Sequence, residues 1–170
     1  MEKIIWIFPL VFIFHDMEEI IGIGIFLDKN KEWLEKKYPK WIAPYKSFST
    51  AGLAVAVYEE LIICLLLCLI TYITRSEIMS YVWLGSFIGC DLHFVIHIIQ
   101  SVAIRKYIPA VITSIVCLPI STWLIVLCFQ TFPKITILTI VFLLFGIVLV
   151  GINLKYAQKL IGWFTQKFHY

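Results

Sequence analysis

No lysine or arginine falls inside the long apolar runs of this chain, and no CxxC pair, low-complexity tract or internal repeat occurs anywhere in it. Each absence removes an explanation. Without cations at membrane depth, a salt-bridged core cannot account for acids placed there. Without CxxC, the five cysteines Cys64, Cys68, Cys90, Cys117 and Cys128 do not suggest a thiolate zinc site. All five lie in apolar stretches and read as small buried hydrophobes, not as a disulfide framework. Glu-Glu occurs twice, at Glu18-Glu19 and Glu59-Glu60, but the surroundings differ too much for a duplication. The first apolar run follows Lys3 as a signal peptide would, yet it lacks a small-x-small cleavage site and carries His-Asp-Met-Glu-Glu in its middle. It is expected to be a retained helix.

What is present is apolar surface. The 170 residues are 61% hydrophobic, with a mean hydropathy of +0.94, against about 45–50% apolar in an ordinary soluble domain. One core cannot hide that surface, so lipid must serve as part of the solvent. The expected fold is an all-α membrane protein, a single domain over residues 1–170 built as a five-helix transmembrane bundle. Segments of roughly 20 apolar residues place the spans at about 4–27, 50–73, 79–102, 109–130 and 135–152. Pro9 lies in the first turns of span one, and Pro119 predicts a kink in span four.

The basic residues set direction rather than a nucleic-acid surface. Lys29, Lys31, Lys36, Lys37, Lys40 and Lys46 follow span one, Arg105 and Lys106 follow span three, and Lys155, Lys159 and Lys167 follow span five. The opposite side has only Lys3, Arg75 and Lys134. The pattern predicts a multi-pass protein of the cell membrane, with its N-terminus outside and its C-terminus cytoplasmic. Two interfacial amphipathic segments are expected, at about 30–48 and 153–170. The first places Leu34, Tyr38, Trp41 and Tyr45 at helical spacing, interrupted by Pro39 and Pro44. The second places Ala157, Leu160, Ile161, Phe164 and Phe168 on one stripe, with Trp163 and Tyr170 suited to the headgroup region.

Against this background the polar residues inside the spans stand out. Span one holds His15, Asp16, Glu18 and Glu19; span two, Glu59 and Glu60; span three, Asp91, His93 and His97. A mid-helix acid costs roughly 2.5–3.5 kcal/mol. Six of them, ionised and unpaired, would cost on the order of 15 kcal/mol, comparable to the ~5–15 kcal/mol net stability of a domain. Protons, water or a metal cation must neutralise them.

Spacing favours a metal. His15, Glu18 and Glu19 stand at i, i+3 and i+4, and His93 and His97 at i and i+4, so each set shares a helix face. Two imidazoles one turn apart are the geometry by which a helix grips zinc. Glu59 and Glu60 are about 100° apart, so one points into the site and the other supports it. Gly85 and Gly89 precede His93, and Gly52 and Ala56 precede Glu60, at i+4 steps that would let helices approach closely. At ~1.5 Å per residue, His15, Glu59, His93 and His97 fall at one level in the cytoplasmic half. Candidate metal ligands are therefore His15, Glu18, Glu19, Glu59, Glu60, His93 and His97. Asp16 lies off the main face and suits a hydrogen-bonding or solvent-access role. Asp91 lies nearly opposite His93 and is the acid least suited to join. Mixed imidazole and carboxylate donors suit zinc first, with iron or manganese as alternatives, and one or two ions. Two competing explanations are a proton or cation pathway and a purely structural polar network.

Three short patterns also resemble the HXXEE-domain family of small integral membrane proteins. His15-Asp16-Met17-Glu18-Glu19 matches its name-giving motif. His93-Phe94-Val95-Ile96-His97 is similar to its NxxxH motif, with His in place of Asn, and Tyr107-Ile108-Pro109-Ala110-Val111-Ile112-Thr113 to its YxPGxxT motif, with Ala in place of Gly. The resemblance implies a membrane protein suspected to be an enzyme. Tyr107, Pro109 and Thr113 would lie at the mouth of span four, able to orient a headgroup or a water.

The expectation is a metal-dependent membrane enzyme that hydrolyses, or oxidises, a lipid-like substrate. Glu18, Glu19, Glu59 and Tyr107 are its candidate catalytic groups, a free glutamate acting as general base beside the metal. The alternative is a transporter for protons or divalent cations built on the same cluster; a structural or partner-regulating membrane subunit is a third class. Expected partners are the bilayer and a lipid-like or small-molecule substrate, with self-association allowed and nucleic acid not expected.

Overall fold

The computed structural model describes residues 2–132 and 135–168. Lys134 and Tyr170, used above for charge and anchoring, lie outside the described residues, as do the side chains of Trp41 and Pro44. All regular structure among the described residues is helical. Five long helices carry the fold: α1 (Ile7–Lys37), α2 (Thr50–Thr74), α3 (Glu77–Ile104), α4 (Val111–Gln130) and α5 (Ile137–Phe168). A short helix, Glu2–Ile5, precedes α1, and Pro39–Ile42 and the 3-10 turn Ala43–Tyr45 join α1 to α2.

Helices α2 to α5 are long and apolar enough to cross a membrane. By composition α1 is different, because Asp16, Glu18 and Glu19 interrupt its apolar stretch. Its outward face nevertheless suits lipid: Leu10, Phe14, Met17, Ile21 and Ile25 are exposed at steps of three or four residues.

Helix α3 sits deepest, packed on α4 and α5, while α1 packs on α2 and α4. Trp83, Leu84, Phe87 and Phe94 of α3 are fully buried. With Ile5, Phe8 and Leu124 they fill one half of the bundle. A smaller group, Ile23, Leu53 and Val57, fills the other half. The small residues expected to admit close approach do so. A Cβ on Gly85 would fall on the Leu143 carbonyl, and one on Gly146 on the Val82 carbonyl, so α3 and α5 touch backbone to backbone.

The helix boundaries differ from those expected for the segments at 30–48 and 153–170. Residues 30–37 are not a separate element but the last turns of α1, which ends where Tyr38 leaves the helical conformation (φ −135°, ψ 54°) before Pro39. Residues 153–168 continue α5 as one 32-residue helix. Nothing between 152 and 153 breaks the helix, and its far end packs on α2. Ser49 Oγ meets Thr165 Oγ1 at 2.8 Å, and Gly52 lies against Ile161. Span four begins at Val111 rather than 109, and its helix runs unbroken through Pro119. The three basic segments meet at one end of the bundle. Lys106 Nζ donates to Asn30 Oδ1 at 2.9 Å and stands 4.4 Å from the Trp33 ring centre. Gln166 donates to Ser47 at 3.1 Å.

The connection into α4 is a tight turn in which Val111 N–H donates to the Ile108 carbonyl at 3.2 Å. Pro109 and Ala110 are its central residues, and Ala110 has φ 78° and ψ −10°. That is a type II turn, whose third position needs positive φ and favours glycine. Alanine there carries about 1–2 kcal/mol of strain, while its buried methyl returns about 0.8 kcal/mol. Ala110→Gly is expected to stabilise the protein by up to about 1 kcal/mol, raising Tm by about 2–4 °C. Thermal unfolding in detergent measures it; a lower Tm would mean that methyl packing outweighs strain.

Candidate metal centre

Helical phase brings four donors together. On α1, His15 and Glu19 point to the same side one turn apart; on α3, His93 and His97 do the same from across the interface. Glu19 Oε1 lies 2.9 Å from His97 Nε2 and 3.7 Å from His93 Nε2. The two Nε2 atoms are 2.9 Å apart. The His15 ring centre lies 5.4 Å from that of His93 and 5.2 Å from that of His97. One ligand atom from each of the four residues fits within a mutual 4.8 Å. Donors at ~2.0–2.1 Å around a tetrahedral ion stand about 3.3 Å apart. The observed 2.9, 2.9 and 3.7 Å straddle that value. The set is three imidazoles and one carboxylate, donors suited to zinc.

His15 shows how the site is held. It is 1% exposed, it packs on Phe94 with ring centres 4.4 Å apart, and its buried Nε2 has no hydrogen-bond partner. Its other nitrogen, Nδ1, lies 3.2 Å from Thr113 Oγ1. The Thr113 hydroxyl is 2.7 Å from Glu18 Oε2, and an ionised carboxylate only accepts. The hydroxyl therefore donates to Glu18, and its oxygen accepts the Nδ1–H of His15. That tautomer leaves the Nε2 lone pair bare. A partner on the far nitrogen is the usual support of a metal-binding histidine.

Glu18 itself is engaged elsewhere. It accepts from Tyr107 Oη at 2.6 Å and from the Thr113 N–H at 2.7 Å. Helix α4 begins at Val111 with no side-chain cap of its own, so the Glu18 carboxylate satisfies a first-turn amide and opposes the positive end of the helix. Burial and the bond to Glu18 push the Tyr107 hydroxyl up to about 12. It stays a proton donor at neutral pH and is no base. Gly22 makes the approach possible: a Cβ there would stand 2.8 Å from the Pro109 ring.

Of the seven residues expected to bind metal, the structure gathers His15, Glu19, His93 and His97. Glu18 is turned to α4. Glu59 is turned to α5, where both its oxygens lie 3.2 Å from Asn153 Nδ2. Glu60 is buried beside the group and lines the cavities around it. Asp16 lines one of those cavities with Glu60 and His93. Asp91 faces α4, accepting from Thr122 at 2.9 Å, away from the group.

Two kinds of space flank the donors. A cavity of about 60 Å³ runs toward the apolar half, between Phe8, Phe12, Leu67 and Val150, with Asp16, Glu60 and His93 at its polar wall. A cavity of about 260 Å³ lies on the other side, touching Glu19, Glu60, His93 and His97. It shares Tyr45, His97, Gln100 and Gln158 with a further cavity of about 230 Å³ that reaches Lys40 at the basic end. Sequence reasoning missed the Thr113–His15 contact and the Glu59–Asn153 pair. The signal for the second was an asparagine in an otherwise apolar stretch.

A family model described as "Protein of unknown function with HXXEE motif" matches residues 6–124. No curated protein and no solved structure matches the chain. The matched region includes His15, Glu18 and Glu19, His93 and His97, and the Tyr107–Thr113 turn, which the fold joins into one hydrogen-bonded and donor-sharing unit. The chain belongs to the HXXEE family.

Proposed function

We propose that the protein is a metal-dependent membrane enzyme that hydrolyses a lipid-like substrate at the centre formed by His15, Glu19, His93 and His97. The observation that carries this reading is the convergence of four donors, three of them buried and His93 half-buried, with the His15 Nε2 lone pair left free by the Thr113 contact. Zinc fits the donors best; iron or manganese would suit the same set less well. A bound ion supplies Lewis acidity, polarising the oxygen of a carbonyl or phosphoryl group. The protein's residues do the rest. Thr113 and Glu18 fix the His15 ring, and Tyr107 holds Glu18. Glu60 faces the cavities without belonging to the four-donor group, which leaves its carboxylate to take a proton from an attacking water.

The cavities support an amphiphilic substrate. Its polar part lies toward Gln100, Gln158 and Lys40 in the two larger cavities. The gathered basic residues favour placing that polar end, with the C-terminus, on the cytoplasmic side. A transporter needs a polar route in both directions, and the aromatic and aliphatic wall beyond Asp16 disfavours one.

The test uses the full chain in lipid nanodiscs. Elemental analysis should find about one zinc per chain, and mass spectrometry of the lipids should show ester or phosphoester cleavage that a chelator stops. Metal-free protein that still cleaves would overturn the metal's role. Zinc flux across liposomes without cleavage would replace hydrolysis with transport. Thr113→Val should weaken zinc binding about 10–100-fold, while Thr113→Ser should restore it. A competition titration with a chromogenic chelator reads both; equal affinities would remove Thr113 from the site.

A further inference from the structure

One side of the centre holds acids that the four-donor group does not use. Asp16 and Glu60 are 4% and 9% exposed, and both line the cavity of about 60 Å³ that also meets His93. No lysine or arginine lines that cavity. Asp16 Oδ2 is buried without a hydrogen-bond partner. Asn153 lines the same space. Its amide nitrogen is committed to Glu59, so its carbonyl oxygen is turned away from Glu59. Both acids lie within electrostatic reach of Glu19, so this pocket adjoins the four-donor group.

Two buried carboxylates and an amide oxygen form a hard, oxygen-only donor set. Carboxylates so buried are either protonated or matched by a cation, and the space exceeds the roughly 10–15 Å³ that one water requires. We infer that Asp16, Glu60 and the Asn153 carbonyl form a second divalent-cation position beside the first, making the centre dinuclear. The inference rests on the metal reading above. Carboxylates from facing helices hold paired ions in helical bundles in this way. A carboxylate that binds through one oxygen keeps the other, so Glu60 can still face the substrate cavity.

The experiment adds Mn²⁺ to zinc-loaded full-length protein in nanodiscs, removes free metal and counts ions. Two ions per chain are expected in the wild type. Glu60→Gln, and separately Asp16→Asn with Glu60→Gln, should hold one, with zinc retained and helical content unchanged by circular dichroism. One zinc and no further ion in the wild type overturns the second position and leaves the first standing. Two ions retained in both variants overturns it as well. No metal at all in the wild type overturns the metal reading itself. Should the double variant fail to fold, Glu60→Gln decides alone, its retained zinc reporting that the four-donor group is intact.

Discussion

Replacing His97 with alanine is expected to weaken zinc binding by on the order of a thousandfold, about 4 kcal/mol, and to abolish lipid cleavage. Outer partners of a metal ligand are worth about 10–100-fold, and His97 is proposed as a ligand itself. It is also the residue that holds Glu19 closest, at 2.9 Å, whereas His93 stands at 3.7 Å. Without His97 the buried Glu19 carboxylate loses its nearer imidazole partner, and a lost hydrogen bond to a charged group costs about 1.5–3 kcal/mol. The variant should therefore lose thermal stability as well as metal. His93→Ala should lose metal to a similar degree with a smaller loss of stability. Asp91→Asn supplies the control, because Asp91 faces Thr122 and not the centre; its metal content should equal that of wild type. Full metal occupancy in His97→Ala, counted by elemental analysis, would sink the four-donor assignment.

Much of the centre was legible from helical phase. One-turn spacing put His15 with Glu19 and His93 with His97, and both faces meet. The same rule overreached at Glu18. Successive residues diverge by about 100° on a helix, so Glu18 and Glu19 cannot both enter one site. Which of them turns away depends on the neighbour, and the neighbour is the uncapped start of α4. No pattern within residues 15–19 carries that information. The role of Thr113 was hidden for a related reason. A turn reads as a turn from Pro109 and the positive-φ position after it, but its partner is set by where Gly22 lets α1 approach. Helix length failed differently at 152–153. A shift in composition at that point is not a shift in structure, because backbone hydrogen bonding continues wherever no residue interrupts it, whether lipid or protein lies outside. The bare helices were thus readable, and their continuation beyond the apolar stretch depended on α2 packing that residues 153–168 do not encode alone.

Gly85→Val is expected to prevent α3 and α5 from packing, with a loss of about 3 kcal/mol or more. Association of helices in lipid draws little from the hydrophobic effect and depends on close packing. At Gly85 an added Cβ meets the Leu143 carbonyl, and at Gly146 it meets the Val82 carbonyl. Those neighbours are backbone and cannot rotate aside as a side chain would. Relief requires the helices to separate, and α3 carries His93 and His97 while α5 carries Asn153. Gly85→Val should therefore reduce the monodisperse fraction in size-exclusion chromatography and lower zinc content together. Gly146→Val should do the same from the opposite helix. Gly151 separates this mechanism from a general intolerance of change in α5, because a Cβ there meets nothing within 4 Å. Gly151→Ala should be neutral or stabilise the helix by about 0.5–1 kcal/mol. If Gly85→Val and Gly151→Ala behaved alike, backbone contact between α3 and α5 would not be what holds α3, with His93 and His97, in place.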